Sequence, residues 1–175
     1  MEKKADLLAL SQDTGTIPKK ELEASPGYPS KGDLNKGPLA VIECTEEIPC
    51  NPCETVCNKE AIVVGEPITN LPRVDPKKCN GCGLCIPICP GLAIFLVDTT
   101  YSEDEATISF PHEYLPLPKE GDQVEVVNRK GETVYKGKVL KVRSPKSYDH
   151  TPVVTVAAPK KYIHEVRGIK PMRKG

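Results

Sequence analysis

Eight cysteines constrain this chain more than any other feature, because all of them lie between Cys44 and Cys89. The second run, CNGCGLCIPICP at residues 79–90, has the spacing C-x2-C-x2-C-x3-C-P. The first run, CTEEIPCNPCETVC at residues 44–57, has the looser spacing C-x5-C-x2-C-x3-C. The residues that follow, VCNKEAIVV and ICPGLAIFLV, also repeat. The repeat predicts two units, each made of a thiol loop, a helical turn and a strand.

The second run has the spacing that an iron–sulfur cube needs. Three thiols at successive three-residue steps on a tightly curving loop reach three corners of one cube. Gly81 and Gly83 allow the backbone to curl around the inorganic sulfides. The last thiol, Cys89, follows Cys85 by four residues, and Pro90 suits the first position of a helix. We therefore predict a helix that begins at Pro90, with Cys89 pointing away from its own loop and towards a second cube.

Two other uses of the thiols are open alternatives. No stretch approaches the roughly 20 apolar residues that span a bilayer, and the first residues lack a secretory signal pattern. We therefore predict a cytoplasmic protein, and disulfides are disfavoured in that reducing compartment. A structural zinc site would usually show two separated C-x2-C pairs rather than two triples each followed by x3-C. The spacing thus favours iron–sulfur clusters over zinc or disulfides.

Residues 39–98 resemble the bacterial-type ferredoxins that carry two [4Fe-4S] clusters. The resemblance lies in CNGCGLCIPICP, in the VDPKKC segment that leads into it, and in the Ala-Ile pair that follows each helical turn. Two features depart from that family. Five residues rather than two separate Cys44 from Cys50, so TEEIP must loop out, and Asn58 stands where the family usually has Pro. The longer loop leaves open whether Cys44 is a ligand or the first cluster is atypical, with three irons or one differentiated iron.

The resemblance implies a crossed set of ligands, in which the last cysteine of each run binds the cluster of the other run. All eight cysteines are then metal ligands and bind two [4Fe-4S] clusters. Cluster one is assigned to Cys44, Cys50, Cys53 and Cys89, and cluster two to Cys79, Cys82, Cys85 and Cys57.

We predict an α+β protein in three parts. Residues 1–38 form an extended N-terminal arm, in which KKADLLALS at residues 3–11 has room for about two helical turns and the rest is rich in Pro and Gly. Such a segment is compatible with a disordered tail or with an arm that lies on a partner. Residues 39–98 form the pseudo-twofold ferredoxin domain. Residues 99–175 form a small antiparallel β module, similar to an SH3-like barrel, with a basic C-terminal tail.

Several segments predict the strands of the β module. They alternate apolar and polar residues and are separated by Pro, Gly and Asn. Asn128 to Gly131 has the composition of a hairpin turn. The predicted strand segments are ATISF, DQVEVV, ETVYKGKVLKVRS, PVVTVAA and YIHEV.

The chain is predicted to be an electron-transfer subunit without a catalytic site of its own. It has neither G-x-G-x-x-G nor G-x-x-x-x-G-K-[ST], and His112, His150 and His164 are scattered. The resemblance implies protein partners in an oxidoreductase complex, with a flavin site in the partner. Acidic and basic residues balance at 24 each, which argues against nucleic acid. The alternative is a cluster-bearing regulator that binds nucleic acid through the β module, using Lys160, Lys161, Arg167, Lys170, Arg173 and Lys174.

Overall fold

The computed structural model describes residues 16–172, so the helical turns predicted at residues 3–11 lie outside the described residues. The helices are short: α1 is Lys19–Ala24, α2 is Lys31–Leu34, α3 is Pro52–Thr55 and α4 is Cys85–Ile88. Two 3-10 turns cover Lys146–Tyr148 and Lys160–Tyr162. The strands are β1 Leu39–Ile42, β2 Ile62–Val63, β3 Arg73–Val74, β4 Ile94–Asp98, β5 Glu105–Pro111, β6 Gln123–Val127, β7 Thr133–Arg143, β8 Val153–Pro159 and β9 Gly168–Ile169.

Seven strands form one antiparallel sheet in the order β1-β4-β5-β8-β7-β6-β9, and β2 pairs with β3 separately. The predicted hairpin joins β6 to β7. Its turn is held by the Asn128 side chain, whose Oδ1 accepts hydrogen bonds from the Lys130 and Glu132 amides. Gly131 has φ +77°, a conformation that glycine adopts without steric cost.

The sheet runs across the boundary predicted near residue 99. Strand β4 pairs with β5, with Leu96 opposite Ser109 and Asp98 opposite Thr107. The cysteine-bearing part and the β module therefore share one hydrogen-bonded sheet. Within residues 16–172 the strand order is open, since β1 pairs only with β4 and β9 only with β6. The SH3-like barrel and the domain boundaries stay predictions.

The β1/β4 pair is buried on both faces, because side chains alternate across a strand. Leu39 and Val41 face the core of the β module together with Phe95 and Val97. Ala40 and Ile42 face the opposite side with Ile94, against the cysteine loops. Burying an aliphatic side chain of this size contributes about 1.5–3 kcal/mol. The pair is thus a wall shared by two hydrophobic clusters.

Residues 16–38 pack on this wall instead of extending away from it. Leu22 and Leu34 are buried. The Ile42 amide donates to the Gly27 carbonyl at 2.9 Å, and the Thr99 hydroxyl donates to the Leu34 carbonyl at 2.7 Å. The buried leucines of this segment therefore belong to the hydrophobic core of this chain.

Two predicted elements were wrong. A helix was expected to begin at Pro90. Instead, α4 ends before it, at Ile88, and Cys89 follows with extended backbone angles. Pro90 cannot continue a helix, so it marks the end of one rather than the start. The strand expected at YIHEV is replaced by the 3-10 turn and by local bonds, such as the Val166 amide to the Tyr162 carbonyl at 3.0 Å. Pro159 is the last residue of β8, and the 3-10 turn begins directly after it.

Candidate metal centre

Four cysteines from both runs line one cavity. It has a volume of about 390 Å³ including its mouth, and its other walls are mainly apolar. The loop after β1 and helix α3 supply three of the thiols, and the fourth comes from the residue after α4. The lining thiols are those of Cys44, Cys50, Cys53 and Cys89.

The other four cysteines line a second cavity of about 360 Å³ including its mouth. Its walls include Ala40 of β1 and Leu96 of β4, so it lies against the shared wall. The lining thiols are those of Cys57, Cys79, Cys82 and Cys85. In each cavity the last cysteine of one run thus lies beside three cysteines of the other.

The two cavities repeat the same backbone geometry after the last cysteine of each run. Glu60 and Leu92 have left-handed backbones, with φ of +50° and +51°. The next amide in each case donates to a sulfur four residues back. The Ala61 amide lies 3.2 Å from Cys57 Sγ, and the Ala93 amide lies 3.5 Å from Cys89 Sγ. Such N–H···S bonds are one of the means by which proteins set cluster potentials.

The thiols suit a polynuclear cluster. Burial raises the pKa of Cys53 to about 11, and the neighbouring charge of Cys89 adds to this. Burial likewise raises the pKa of Cys85 to about 12, with further contributions from Cys79 and Cys82. The Cys53 and Cys85 thiols would therefore be protonated at neutral pH without a cation to stabilise their thiolates.

Among the described residues, no group of three or more His, Cys, Asp or Glu side chains could hold one metal ion. Four thiols spread around a cavity instead provide one ligand at each corner of a cube.

The first cavity is covered by the long loop of its own run. Residues 45–49 project from the surface, and the Ile48 side chain is 51% exposed. The Cys44 thiol lies 4.0 Å from the Glu46 carbonyl and remains at the cavity wall. The extra residues after Cys44 thus loop out towards solvent, as expected for TEEIP.

A buried ion-pair network lies directly before this loop. Glu43 is 8% exposed and is bound by two guanidinium groups. Arg129 Nε donates to Glu43 Oε2 at 2.8 Å, and Arg167 Nε donates to Oε1 at 2.7 Å. Burial alone would raise the pKa of Glu43, but hydrogen bonds from Arg129 and the charge of Arg167 hold it below its usual value. The β module thus fixes the residue before Cys44.

The loop that lines the second cavity is covered by residues distant in sequence. Pro38 packs on Gly81, where a Cβ would lie 2.6 Å from the proline ring. Arg143 at the end of β7 donates from Nη1 to the Cys82 carbonyl at 3.1 Å. Both glycines of CNGCG have positive φ, so the conformation and the close approach together require glycine there.

Sequence reasoning missed Glu43, Arg129 and Arg143, since no local pattern marks a contact between residues so far apart. It also counted Arg167 among the basic residues at the C-terminal end, without finding that Arg167 is only 9% exposed. Lys170 is at the surface and pairs with Glu125 at 2.5 Å, while Arg173 and Lys174 lie outside the described residues.

The histidines do not join the thiols. His112 is 3% exposed in the β module, and burial lowers its pKa. His164 Nδ1 lies 2.7 Å from the Tyr28 hydroxyl, which links the N-terminal segment to the β module. His150 is exposed. In the part of the chain that the structure describes, no helix is long and apolar enough to cross a membrane.

Comparison with known proteins matches part of the chain. Residues 72–95 match the family described as 4Fe-4S binding domain, which includes Cys79, Cys82, Cys85 and Cys89. The chain is also 49% identical over 45 residues to one subunit of the Na(+)-translocating ferredoxin:NAD(+) oxidoreductase complex of Acetobacterium woodii. That match covers 26% of this chain and 13% of the relative's length. No solved structure matches the chain. Residues 72–95, which carry the second cysteine run, therefore belong to a 4Fe-4S binding domain.

Proposed function

We propose that this chain carries two [4Fe-4S] clusters and relays single electrons within an oxidoreductase complex. The observation that carries the proposal is the division of eight cysteines into two cavities with four thiols each. A cubane with four thiolate ligands has no open iron position, so when bound it supplies one-electron transfer. The chain's own residues supply the ligands, the amides directed at sulfur, and the apolar walls.

The assignment of ligands belongs to this proposal. Cluster one would be bound by Cys44, Cys50, Cys53 and Cys89, and cluster two by Cys57, Cys79, Cys82 and Cys85. The position of each thiol at the wall of its cavity supports this crossed scheme. Cys44 is included, because its sulfur lines the first cavity in spite of the long loop that follows it.

The proposal extends to a protein partner with a flavin. A chain with only one-electron carriers needs another site at which electrons enter or leave in pairs, and a flavin exchanges either one or two. The relative from Acetobacterium woodii belongs to a ferredoxin:NAD(+) oxidoreductase complex of several subunits. We therefore propose that the donor or acceptor is a flavoprotein subunit and that this chain has no catalytic site of its own.

The first experiment is iron and acid-labile sulfide analysis of the anaerobically purified chain, with EPR of the dithionite-reduced form. We expect about eight irons and eight sulfides per chain and spectra of two interacting reduced cubanes. About four irons would reduce the proposal to one cluster. Zinc in place of iron would overturn electron transfer as the function. About seven irons would show that cluster one is a three-iron cluster and that Cys44 is not a ligand.

The partner is tested with a tagged chain isolated from its native cells. We expect a complex that contains flavin, whose absorbance is bleached when the reduced chain delivers electrons to it. The matched control is the tagged Cys82→Ala chain, which lacks one proposed ligand and should bind the partner but transfer electrons slowly. A stable complex without flavin would overturn this part of the proposal.

A further inference from the structure

Arg143 places a positive charge on the second cysteine loop. It is the last residue of β7, and its Nη1 donates to the Cys82 carbonyl at 3.1 Å. Nη2 lies so close to Gly83 that a Cβ at that position would be 2.7 Å away. Gly83 has φ +74°, so both the loop conformation and the approach of the guanidinium depend on glycine. The β module thus reaches the backbone that holds Cys82 and Cys85.

The guanidinium is held in place and its charge is not balanced by an acid. Its Cζ lies 5.9 Å from the centre of the Tyr148 ring, and Tyr148 is buried in the hydrophobic cluster of the cysteine loops. Within residues 16–172, no carboxylate lies within salt-bridge distance of Arg143. The charge therefore acts on the second cavity with little local compensation.

The charged residues around the two cavities differ in sign. Glu46 lines the first cavity. Lys59 lines the second, and Arg143 contacts the Cys82–Gly83 loop that lines it. The nearby Glu43 adds no net negative charge near the first cavity, because Arg129 and Arg167 bind its carboxylate. The backbone plan of the two cavities is repeated, but their electrostatic surroundings are not.

We propose that Arg143 raises the reduction potential of cluster two above that of cluster one, an inference that rests on the proposed two-cluster function. Reduction adds one negative charge to a cluster. A neighbouring cation stabilises the reduced form, and a neighbouring carboxylate destabilises it. Arg143 acts through the loop and does not touch the iron as a ligand, so it is a positioning and tuning residue.

The difference determines which cluster holds a single electron at equilibrium. With both clusters bound, the chain would accept one electron from a donor that is thereby oxidised by one electron. That electron would reside mainly on the cluster beside Arg143, because a neighbouring cation favours the reduced form there. Cluster two is therefore the site that holds the electron when the chain carries only one.

The test is an EPR-monitored redox titration of the full-length chain with both clusters bound. We expect two one-electron waves. Arg143→Gln removes the charge but keeps a donor for the Cys82 carbonyl, and it should lower the higher wave only. Arg143→Lys should restore it. Glu46→Gln should raise the lower wave only. Lys138→Gln removes an exposed charge from the same strand and should move neither wave.

The proposal is overturned if Arg143→Gln leaves both waves unchanged or moves the lower one, or if both substitutions move the same wave. If Arg143→Gln does not retain its clusters, NMR of the half-reduced wild-type chain decides. The contact-shifted cysteine protons should show Cys79, Cys82 and Cys85 around the reduced cluster, and the opposite pattern overturns the proposal. The two failures are distinguishable by iron analysis. If only this inference is wrong, the chain still contains about eight irons; if the proposed function is wrong, it does not.

Discussion

The two thiol cavities share a backbone plan but have different covers. In each, a four-residue helix ends shortly before the last cysteine of its run, and the amide four residues after that cysteine bonds to its sulfur. The first cavity is covered by the loop of its own run, in which residues 46–49 are exposed. The second is covered by Pro38 and Arg143, which come from opposite sides in sequence.

This difference shows that short-range spacing and long-range packing control different properties. Spacing determines which thiols converge, and it acts almost equally on both runs. The covers determine charge, exposure and attachment to the β module. The β module holds the first run through Glu43 and the second through the Cys82 carbonyl. Three experiments test how far the two cavities are equivalent and how far they depend on the module.

The largest effect is expected from removing single ligands that cross between the cavities. Cys57→Ala should empty or degrade the cluster held with Cys79, Cys82 and Cys85, and lower the iron content towards about four per chain. Paramagnetic broadening of amide signals in NMR identifies the surviving cluster. In Cys57→Ala, broadening should persist around Cys53 and disappear around Cys82.

Cys89→Ala is the matched control and should give the reciprocal result. Broadening should then persist around Cys82 and disappear around Cys53. Loss of the cluster that lies beside each substituted cysteine in sequence would refute the crossed ligand scheme.

A smaller effect is expected when the attachment of the first run is removed. Glu43→Gln leaves the buried Arg167 and the half-buried Arg129 with an uncharged partner. Losing one member of a buried pair costs about 3–5 kcal/mol. Anaerobic urea unfolding of the cluster-loaded chain measures the change in the free energy of unfolding. Glu125→Gln, which removes a surface pair with Lys170, should have a far smaller effect.

The same substitution distinguishes the cavities. Iron should be released from the first cavity before the second in Glu43→Gln. Glu43 precedes Cys44, and its backbone amide bonds to Ala93, which contacts Cys89 of the same cavity. Equal release rates would mean that the buried pair stabilises the sheet as a whole and not the first run.

The smallest effect concerns pH and the β module. Burial lowers the pKa of His112, and burial together with the charge of Lys19 lowers the pKa of His164. A histidine whose pKa is lower in the folded state than in the unfolded state binds a proton more readily when the chain is unfolded. The free energy of unfolding is therefore highest above the unfolded pKa of about 6.5. It decreases as pH falls below that value, by at most about 1.4 kcal/mol per pH unit for each histidine.

Urea unfolding at several values between pH 7.5 and 5.5 measures this slope. His112→Gln should flatten it, and the exposed His150 provides the control substitution His150→Gln. If the cysteine loops and the β module unfold as one unit, cluster absorbance and circular dichroism will shift together. Separate transitions would show that the shared sheet does not couple the two parts.

The predictable parts of this protein are those written in short stretches of sequence. The thiol spacing, the hairpin at Asn128 and the strand after each thiol run depend on neighbouring residues. Strand YIHEV failed because local turn bonds after Pro159 outweighed its apolar alternation. Contacts such as that of Arg143 with Cys82, 61 residues apart, or of Arg167 with Glu43, 124 apart, leave no local pattern. They arise only when the sheet brings distant strands together.

The β1/β4 pair has a consequence for how the chain acquires metal. All eight cysteines lie between these two strands, so pairing of Val41 with Phe95 and of Leu39 with Val97 closes the whole ligand-bearing segment into a loop. Closing a loop of this length costs conformational entropy that grows only slowly with its size. Burial of Val41 and Val97 against the β module offsets that cost before iron binds. The effective concentration of the thiols is then set partly by side chains that touch no sulfur, and a substitution at Val41 or Val97 would act as a metal-affinity mutation.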